Sequence, residues 1–308
     1  MCRVVMYLGK PVLVDNLLYQ PDNSLIKQTH SKLMLEMLNL AGFGMVAWDP
    51  TSHRPHEPFS YRSPHIPIFD RNLKTLAEKL RVSAMIAHVR GVPYNEKVTL
   101  GEQNAHPFQF PGMRLALAHN GDLFDFNKMR FALLQHIKPE IAQMIRGNTD
   151  SEWIYALLLS QFGNPAAPQD SEQIMIAVEQ TLRIIRDVRH AHGIRICSPA
   201  NLFISDGEHL VAVRYTFDFG CYDAADAETV RGSTHAFLSL WYTTGRDYGF
   251  HDGEWKMVGG FRMADSVLIA SEPLTRDTST WLEVPEYSAC TVVEHSGRQR
   301  LRIKYLDV

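Results

Sequence analysis

The order of apolar segments along the chain limits the folds that it can adopt. Short apolar runs in the first part of the chain predict strands at 3–8, 42–48, 83–89 and 114–119. Asn72 is predicted to cap a helix between the second and third of these strands. Apolar residues then recur at helical spacing from about residue 126 to residue 190, and strand-like runs follow Cys197. This order is typical of an α+β layered fold and not of a βαβ repeat. Neither an internal repeat nor a flexible linker divides the chain, so one domain over residues 1–308 is expected.

The composition favours a globular protein that acts on a small molecule. Hydrophobic residues make up 45% of the 308 residues, which is enough to bury a core. The 31 basic and 34 acidic residues leave a net charge of −3, and no long block of one sign occurs. Nucleic-acid and membrane-surface binding both require a concentrated charge of one sign, so neither partner is expected.

The cysteines and the apolar runs favour a cytoplasmic protein. Cysteines stand at positions 2, 197, 221 and 290 without a CxxC pair or a regular framework, so neither a zinc ribbon nor a disulfide scaffold is predicted. No apolar run approaches the roughly 18 to 20 residues that cross a bilayer. The first apolar run ends at Gly9, which makes it too short for a secretion signal.

Cys2 is the residue that indicates most about chemistry. Removal of Met1 would place a thiol and a free α-amine on one residue, and the amine, with a pKa of about 7.7 to 8.0, could act as a base for the thiol. A separate histidine is then not required. The structural alternative is a small apolar residue that begins a strand, as many buried cysteines do.

Three further clusters carry polar groups that could bind a substrate or stabilise a transition state. Arg90 ends a predicted strand, where it could bind a carboxylate through two parallel hydrogen bonds or simply lie on the surface. Asn120 and Gly121 follow another strand, and their amide and N–H groups could stabilise an oxyanion, although Asn-Gly is more often only a turn. Asp150 opens a helix, where it could receive a substrate ammonium, cap the helix, or do both.

In their order along the chain, these motifs resemble the class II glutamine amidotransferase domain, whose N-terminal cysteine makes it an N-terminal-nucleophile hydrolase. The resemblance is carried by Cys2 before an apolar strand, AHVR at 87–90, NAHPF at 104–108, AHNGDL at 118–123 and GNTDSEW at 147–153. SEPL at 271–274 and WLEVP at 281–285 are similar to the C-terminal strands of stand-alone members. Among those, the chain most resembles the γ-glutamyl amidohydrolase of ergothioneine synthesis. The resemblance implies a four-layer αββα sandwich.

The resemblance also implies roles in catalysis. Cys2 would be the nucleophile with its own α-amine as base, and Asn120 with the Gly121 N–H would form the oxyanion hole. The expected reaction is cleavage of a γ-glutamyl amide through a cysteine thioester, without a cofactor or a metal. His53, His56 and His65 share one loop, but their spacing matches no established metal site.

Substrate binding is assigned to three further residues by the same resemblance. Arg90 would bind the substrate α-carboxylate, Asp150 its α-ammonium, and His106 would support the loop of the site. A threonine commonly follows the arginine in this family, whereas Gly91 stands here. The segment 91–101 would close over the substrate as a lid.

The leaving group and the partner are less constrained. Either the aromatic, glycine-rich segment 243–260 or the loop 50–67 is expected to cover the leaving group. No phosphate-binding motif accompanies the site. The chain would therefore hydrolyse its substrate outright or donate ammonia to a separate subunit, and it could also form a homo-oligomer. A catalytically silent binding module is the alternative from a different class.

Overall fold

A computed structural model describes residues 2–29, 41–91, 101–221, 239–259, 264–295 and 298–308. The first part of the chain forms β1 (Arg3–Leu13), α1 (Val14–Leu18), β2 (Phe43–Trp48), β3 (Phe59–Ser63), α2 (Arg71–Ala77), β4 (Arg81–Val89) and β5 (Ala116–Gly121). Helices follow as α3 (Phe126–Leu134), α4 (Pro139–Ala142), α5 (Asp150–Ser160) and α6 (Ser171–Ala191). The remaining strands are β6 (Ser198–Ser205), β7 (Leu210–Arg214), β8 (Thr216–Phe217), β9 (Trp241–Gly245), β10 (Asp247–His251), β11 (Glu254–Val258), β12 (Ser266–Ala270), β13 (Leu282–Glu283), β14 (Ser288–His295) and β15 (Arg298–Tyr305).

Two antiparallel sheets form the centre of the molecule. The first has seven strands in the order β13-β9-β12-β1-β4-β2-β3. The second has six strands, of which five run in the order β15-β14-β7-β6-β5 while β8 pairs with β6. The hairpin β10-β11 forms a separate two-stranded sheet. Within the described part of the chain, no helix has the length and apolar character needed to cross a membrane.

Alternating residues of β1 separate the layers of the fold. Val4 and Met6 lie in an apolar cluster between the two sheets, together with Phe203 of the second sheet. Val5 and Tyr7 point the other way and pack with residues of α1 and α2. A third cluster joins α3 to α6 to the outer face of the second sheet. Because successive residues of a strand face opposite sides, one strand serves two cores. The four-layer αββα sandwich is thereby confirmed.

The sequence-based predictions located most elements but misplaced the caps of α2 and α5. Helix α2 is capped by Asp70, whose carboxylate accepts a hydrogen bond from the Leu73 N–H at 3.0 Å, and not by Asn72. Helix α5 begins at Asp150 as predicted, but its cap is Thr149, and Asp170 caps α6. Strands β3, β10, β11 and β13 were not predicted, because their residues are partly exposed and lack a clear apolar alternation.

Candidate active site

Strand register brings the candidate nucleophile, Cys2, and the candidate carboxylate-binding residue, Arg90, to the same end of two adjacent strands in the first sheet. Arg3 of β1 pairs with Val89 of β4. Cys2 and Arg90 each lie one residue beyond this pair, so they stand at adjacent strand ends. Both have the parity of Val4, which faces the inter-sheet core. The side chains of Cys2 and Arg90 are therefore directed toward the layer between the sheets.

The second sheet brings Asn120 to the same layer. Ala116 and Ala118 of β5 belong to the inter-sheet core, and Asn120 continues their alternation at the end of the strand. The Asn120 side-chain amide donates a hydrogen bond to the Ser271 hydroxyl at 3.0 Å. The same hydroxyl accepts a hydrogen bond from the Val4 N–H at 3.0 Å, two residues from Cys2. One serine thus connects the predicted oxyanion residue to the strand of the nucleophile.

The surroundings of Cys2 fix the start of β1. The Cys2 thiol is buried and lies 3.7 Å from the Gly91 carbonyl oxygen, which accepts a weak hydrogen bond from it. The Arg3 guanidinium donates a hydrogen bond to the Cys2 carbonyl at 2.9 Å. Arg3 in turn forms a buried ion pair with Glu272. The main chain at Cys2 is therefore held by an ion pair on the other face of the first sheet.

Two main-chain hydrogen bonds fix the position of Arg90 at the end of β4. Its N–H donates to the Gly42 carbonyl and its carbonyl accepts from the Ala41 N–H, each at 2.9 Å. Burial lowers the pKa of Arg90, while the charges of Cys2 and Asp150 act in the opposite direction. A guanidinium remains charged in proteins under such shifts. Arg90 thus places a partly desolvated positive charge among Cys2 and Asp150.

Gly121 occupies a position that no other residue can fill without displacement. A Cβ atom there would lie 2.6 Å from the carbonyl carbon of Pro199 and would also overlap the His119 ring. The Gly121 main chain can therefore approach β6 closely because it has no side chain. Its N–H follows Asn120 directly, as the predicted pair of oxyanion donors requires.

Asp150 is the first residue of α5 but is not its cap, since Thr149 has that role. Its carboxylate accepts hydrogen bonds from the Leu123 N–H at 2.8 Å, the Ser151 N–H at 2.8 Å and the Ser151 hydroxyl at 3.0 Å. An ionised carboxylate offers about four acceptor sites. These contacts orient the group, and the carboxylate retains capacity for an ammonium.

His106 lies behind the site and not in it. Its Nδ1 is 2.9 Å from Nε2 of His88, and its ring packs against Phe108 with centroids 4.8 Å apart. His88, His106 and His119 are all buried, and burial lowers the pKa of each. The positive charge of Arg90 lowers the pKa of His88 further. Because burial disfavours the charged imidazolium, these three buried histidines are neutral near pH 7.

Some groups of the site were not assigned a role from the sequence. Ser271 and Glu272 stand in the SEPL motif. The Ser271 contact with Asn120 joins the two sheets, and the Glu272 contact with Arg3 joins two strands that are distant in sequence, so neither leaves a local pattern. His88 and His119 stand in the AHVR and AHNGDL motifs. His119 bonds Ser151 of α5 through Nδ1 at 2.9 Å. The motifs therefore marked the right segments without indicating which partners these side chains contact.

The hairpin β10-β11, which was predicted to cover the leaving group, lies at the end of the first sheet opposite Cys2. Gly9 pairs with Ser266, and Ser266 pairs with Gly245, immediately before the hairpin β10-β11. Cys2 lies at the opposite end of β1, about 23 Å away for seven residues of extended strand. Tyr248 and Met257 of the hairpin instead pack into the outer core of the first sheet. The prediction that 243–260 covers the leaving group is therefore wrong.

The loop 50–67 reaches the site only with its last residues. Trp48 pairs with Ala84, so the loop that follows β2 begins at the end of the strands far from Cys2. Strand β3 then returns, and Ser63 pairs with Phe43, which itself pairs with Val89. Only the segment from Ser63 onward therefore lies at the same end of the first sheet as Arg90. The predicted lid falls mostly on residues 92–100, outside the described residues.

The histidines of this loop do not converge on a metal. His56 lies 3.3 Å from Glu208 and from the Arg114 guanidinium, whereas His65 contacts Ser63 at the other end of β3. Among the described residues, one group has metal-ligand proximity: Asp206, Glu208 and His209. Asp206 accepts hydrogen bonds from the N–H groups of the other two, at 3.0 and 2.8 Å. These hydrogen bonds order the turn between β6 and β7.

The fold and this site place the chain among the class II glutamine amidotransferases. The model of that family matches residues 66–222, which include Arg90, His106, Asn120 and Asp150. The chain is 31% identical to the probable glutamine amidotransferase DUG3 of Saccharomyces cerevisiae over 311 aligned positions, covering 95% of this chain and 82% of that protein. The chain belongs to this family.

Solved structures show the same fold. A glutamine aminotransferase class-II domain protein from Silicibacter pomeroyi has a TM-score of 0.59 at 19% identity, covering 99% of this chain and 100% of that chain. The glutamine phosphoribosylpyrophosphate amidotransferase from B. subtilis has a TM-score of 0.58 at 14% identity. All of this chain matches only 50% of that enzyme. The present chain therefore corresponds to one part of the longer protein.

Proposed function

We propose that this chain hydrolyses γ-glutamyl amides by means of an N-terminal cysteine that is exposed when Met1 is removed. The observation that carries this proposal is the meeting of Cys2, Arg90 and Asn120 in the layer between the two sheets. Membership of the family supports an amidohydrolase reaction. In this arrangement Cys2 would be the nucleophile, Asn120 an oxyanion donor and Arg90 the carboxylate-binding group, at one end of one layer.

The reaction would proceed through a thioester. The Cys2 sulfur attacks the γ-carbonyl carbon while the α-amine of Cys2 takes the thiol proton. The carbonyl oxygen gains negative charge, which the Asn120 side-chain amide and the Gly121 N–H stabilise. Collapse of the tetrahedral intermediate breaks the C–N bond, and the α-ammonium returns its proton to the leaving amine. Water then attacks the thioester, releases glutamate and restores the thiol.

Recognition of the glutamyl group would depend on two opposite charges. Arg90 would bind the α-carboxylate through parallel hydrogen bonds, and Asp150 would bind the α-ammonium. The buried setting strengthens both contacts because little water competes with them. His106 would act indirectly, through His88, on the strand end that carries Arg90.

A small-molecule reaction in the cytoplasm fits the remaining properties of the chain. The net charge of −3 favours a small substrate over nucleic acid or a membrane surface. A reducing compartment keeps the Cys2 thiol in its reactive state. Hydrolysis of the substrate by this chain alone is proposed in preference to ammonia transfer. The residues named above need no second protein for thioester formation.

The test is a hydrolysis assay on protein whose mature N-terminus has been verified by mass spectrometry. Glutamine, glutathione and other γ-glutamyl thiol compounds are supplied, and glutamate release is measured with Cys2→Ala as the control. Release by the wild type with at least one of these substrates, and none by the control, supports the proposal. If glutamine hydrolysis rises sharply only when a second protein is added, an ammonia-donating subunit replaces the stand-alone hydrolase. No release under either condition favours the silent binding module.

A further inference from the structure

We propose that Ser271 positions the side-chain amide of Asn120 for oxyanion stabilisation, and that it does so by donating its hydroxyl proton to Asn120 Oδ1. The inference rests on the proposed function, because it concerns the same oxyanion. The inference adds Ser271 to the site, a residue that directly follows β12 and lies 151 positions after Asn120 in the sequence. Ser271 is a positioning residue and does not touch the substrate.

The first support is the position of the Ser271 hydroxyl between the two sheets. It lies 3.0 Å from Asn120 Nδ2 and 3.0 Å from the Val4 N–H, and it is almost completely buried. The main chain of Ser271 is fixed as well: its N–H donates to the Val4 carbonyl, and its carbonyl accepts from the Ser239 hydroxyl, each at 3.0 Å. Ser271 is therefore rigidly attached to the strand that begins at the nucleophile.

The second support is an unsatisfied atom on Asn120. The residue is 1% exposed, yet its Oδ1 has no hydrogen-bond partner among the described residues. A buried polar atom without a partner costs about 1–3 kcal/mol, so such atoms in active sites usually face a ligand. An acceptor oxygen at this position would repel an oxyanion, whereas the Nδ2 group would bind it.

Rotation of the amide by half a turn resolves this conflict. A serine hydroxyl can both donate one hydrogen bond and accept two. After rotation, Ser271 keeps the Val4 N–H as its donor and gives its own proton to Asn120 Oδ1. Asn120 Nδ2 then points to the place that Oδ1 occupied, with its protons directed at the developing oxyanion. The hydroxyl thereby determines which end of the amide faces the substrate.

The test compares Ser271→Ala, Asn120→Ala and the double variant in the full-length mature protein, with glutamine as substrate. Loss of an oxyanion donor lowers kcat by about 10²–10³, and loss of its orientation should cost about tenfold while KM changes by less than about twofold. In the Asn120→Ala background, Ser271→Ala should lower kcat no further. Ser271→Thr keeps the hydroxyl and should restore most of the rate.

A matched control removes a buried hydroxyl at the other end of β6. Ser205→Ala deletes the hydrogen bond that the Ser205 hydroxyl donates to the His209 carbonyl, away from Asn201, which pairs with Asn120. This variant should leave kcat within about twofold of wild type. Unchanged kcat in Ser271→Ala, or losses that multiply in the double variant, would overturn the inference. Thermal unfolding of each variant identifies a folding defect. An inactive wild-type protein would contradict the proposed function instead, so the two failures are distinguishable.

Discussion

Arg3, the residue after Cys2, forms an ion pair with Glu272, and the two side chains are only 3% and 5% exposed. Arg3 also donates a hydrogen bond to the Cys2 carbonyl. A charge at this depth is tolerated because a partner of opposite sign and a carbonyl satisfy it. The pair therefore links the stability of the fold to the position of the reactive thiol.

Removal of one partner of this pair should destabilise the protein severely. Glu272→Ala leaves the Arg3 guanidinium buried without its carboxylate, and we expect a loss of about 3–5 kcal/mol in the free energy of unfolding. Denaturant unfolding measures it. The double variant Arg3→Leu with Glu272→Leu removes both charges and should recover much of the loss. A Glu272→Ala protein as stable as wild type would mean that the pair is not buried in solution.

Cys2→Ala should abolish turnover and leave the fold intact. The substitution removes the sulfur that forms the thioester, and alanine fits the space of a small buried residue. Steady-state assays and thermal unfolding of the same preparation give both readouts. Active wild-type protein should also lack Met1 by intact mass, because a methionyl group on the α-amine removes the proposed base. Equal turnover in wild type and variant would contradict the mechanism.

Arg90 and Asn120 should affect different kinetic constants. Arg90→Lys replaces a planar group that makes two parallel hydrogen bonds by a point charge, so KM should rise with a smaller effect on kcat. Asn120→Ala should lower kcat by about 10²–10³ through loss of an oxyanion donor. Full kinetic curves with the best γ-glutamyl substrate separate the two. Equal affinity for substrates with and without the α-carboxylate would show that Arg90 does not bind this group.

Gly121→Ala should damage the site by steric overlap. The added Cβ would meet the main chain of Pro199 at 2.6 Å, so β5 must move and carry Asn120 with it. We expect a cost of about 1–3 kcal/mol in the free energy of unfolding, together with a lower kcat. Gly163→Ala is the matched control, because its Cβ would meet nothing within 4 Å. Similar losses in both variants would exclude a specific steric effect.

The residues of the site were predictable from the sequence to different extents. Cys2, Arg90 and Asn120 stand in short motifs at strand ends, and strand parity directs them into the same layer once the sheets have formed. Ser271 is distant in sequence, and its role depends on a contact between two sheets that no local pattern encodes. The hairpin 247–258 was misassigned because its aromatic, glycine-rich composition suits both a binding loop and the core cover that it provides.

The buried histidines should make the protein less stable as the pH falls. Burial lowers the pKa of His88 and His106 well below the usual 6.5 in the folded protein, and nearby positive charges lower it further. Below about pH 6.5 the unfolded chain binds protons that the folded protein does not, so acidification favours unfolding. Each histidine contributes at most about 1.4 kcal/mol per pH unit to this slope.

His106→Gln should reduce this pH dependence without reversing it. Glutamine does not titrate, so the contribution of one histidine disappears from the slope between pH 6.5 and 5.5, while His88 still contributes. His209 acts in the opposite direction, because its hydrogen bond with Asp206 raises its pKa, but it is the same in both proteins. Denaturant unfolding at pH 7.5, 6.5 and 5.5 gives the slopes, and His56→Gln, at a side chain that is 62% exposed, is the control. Identical slopes for His106→Gln and wild type would show that His106 is protonated equally in the folded and unfolded protein.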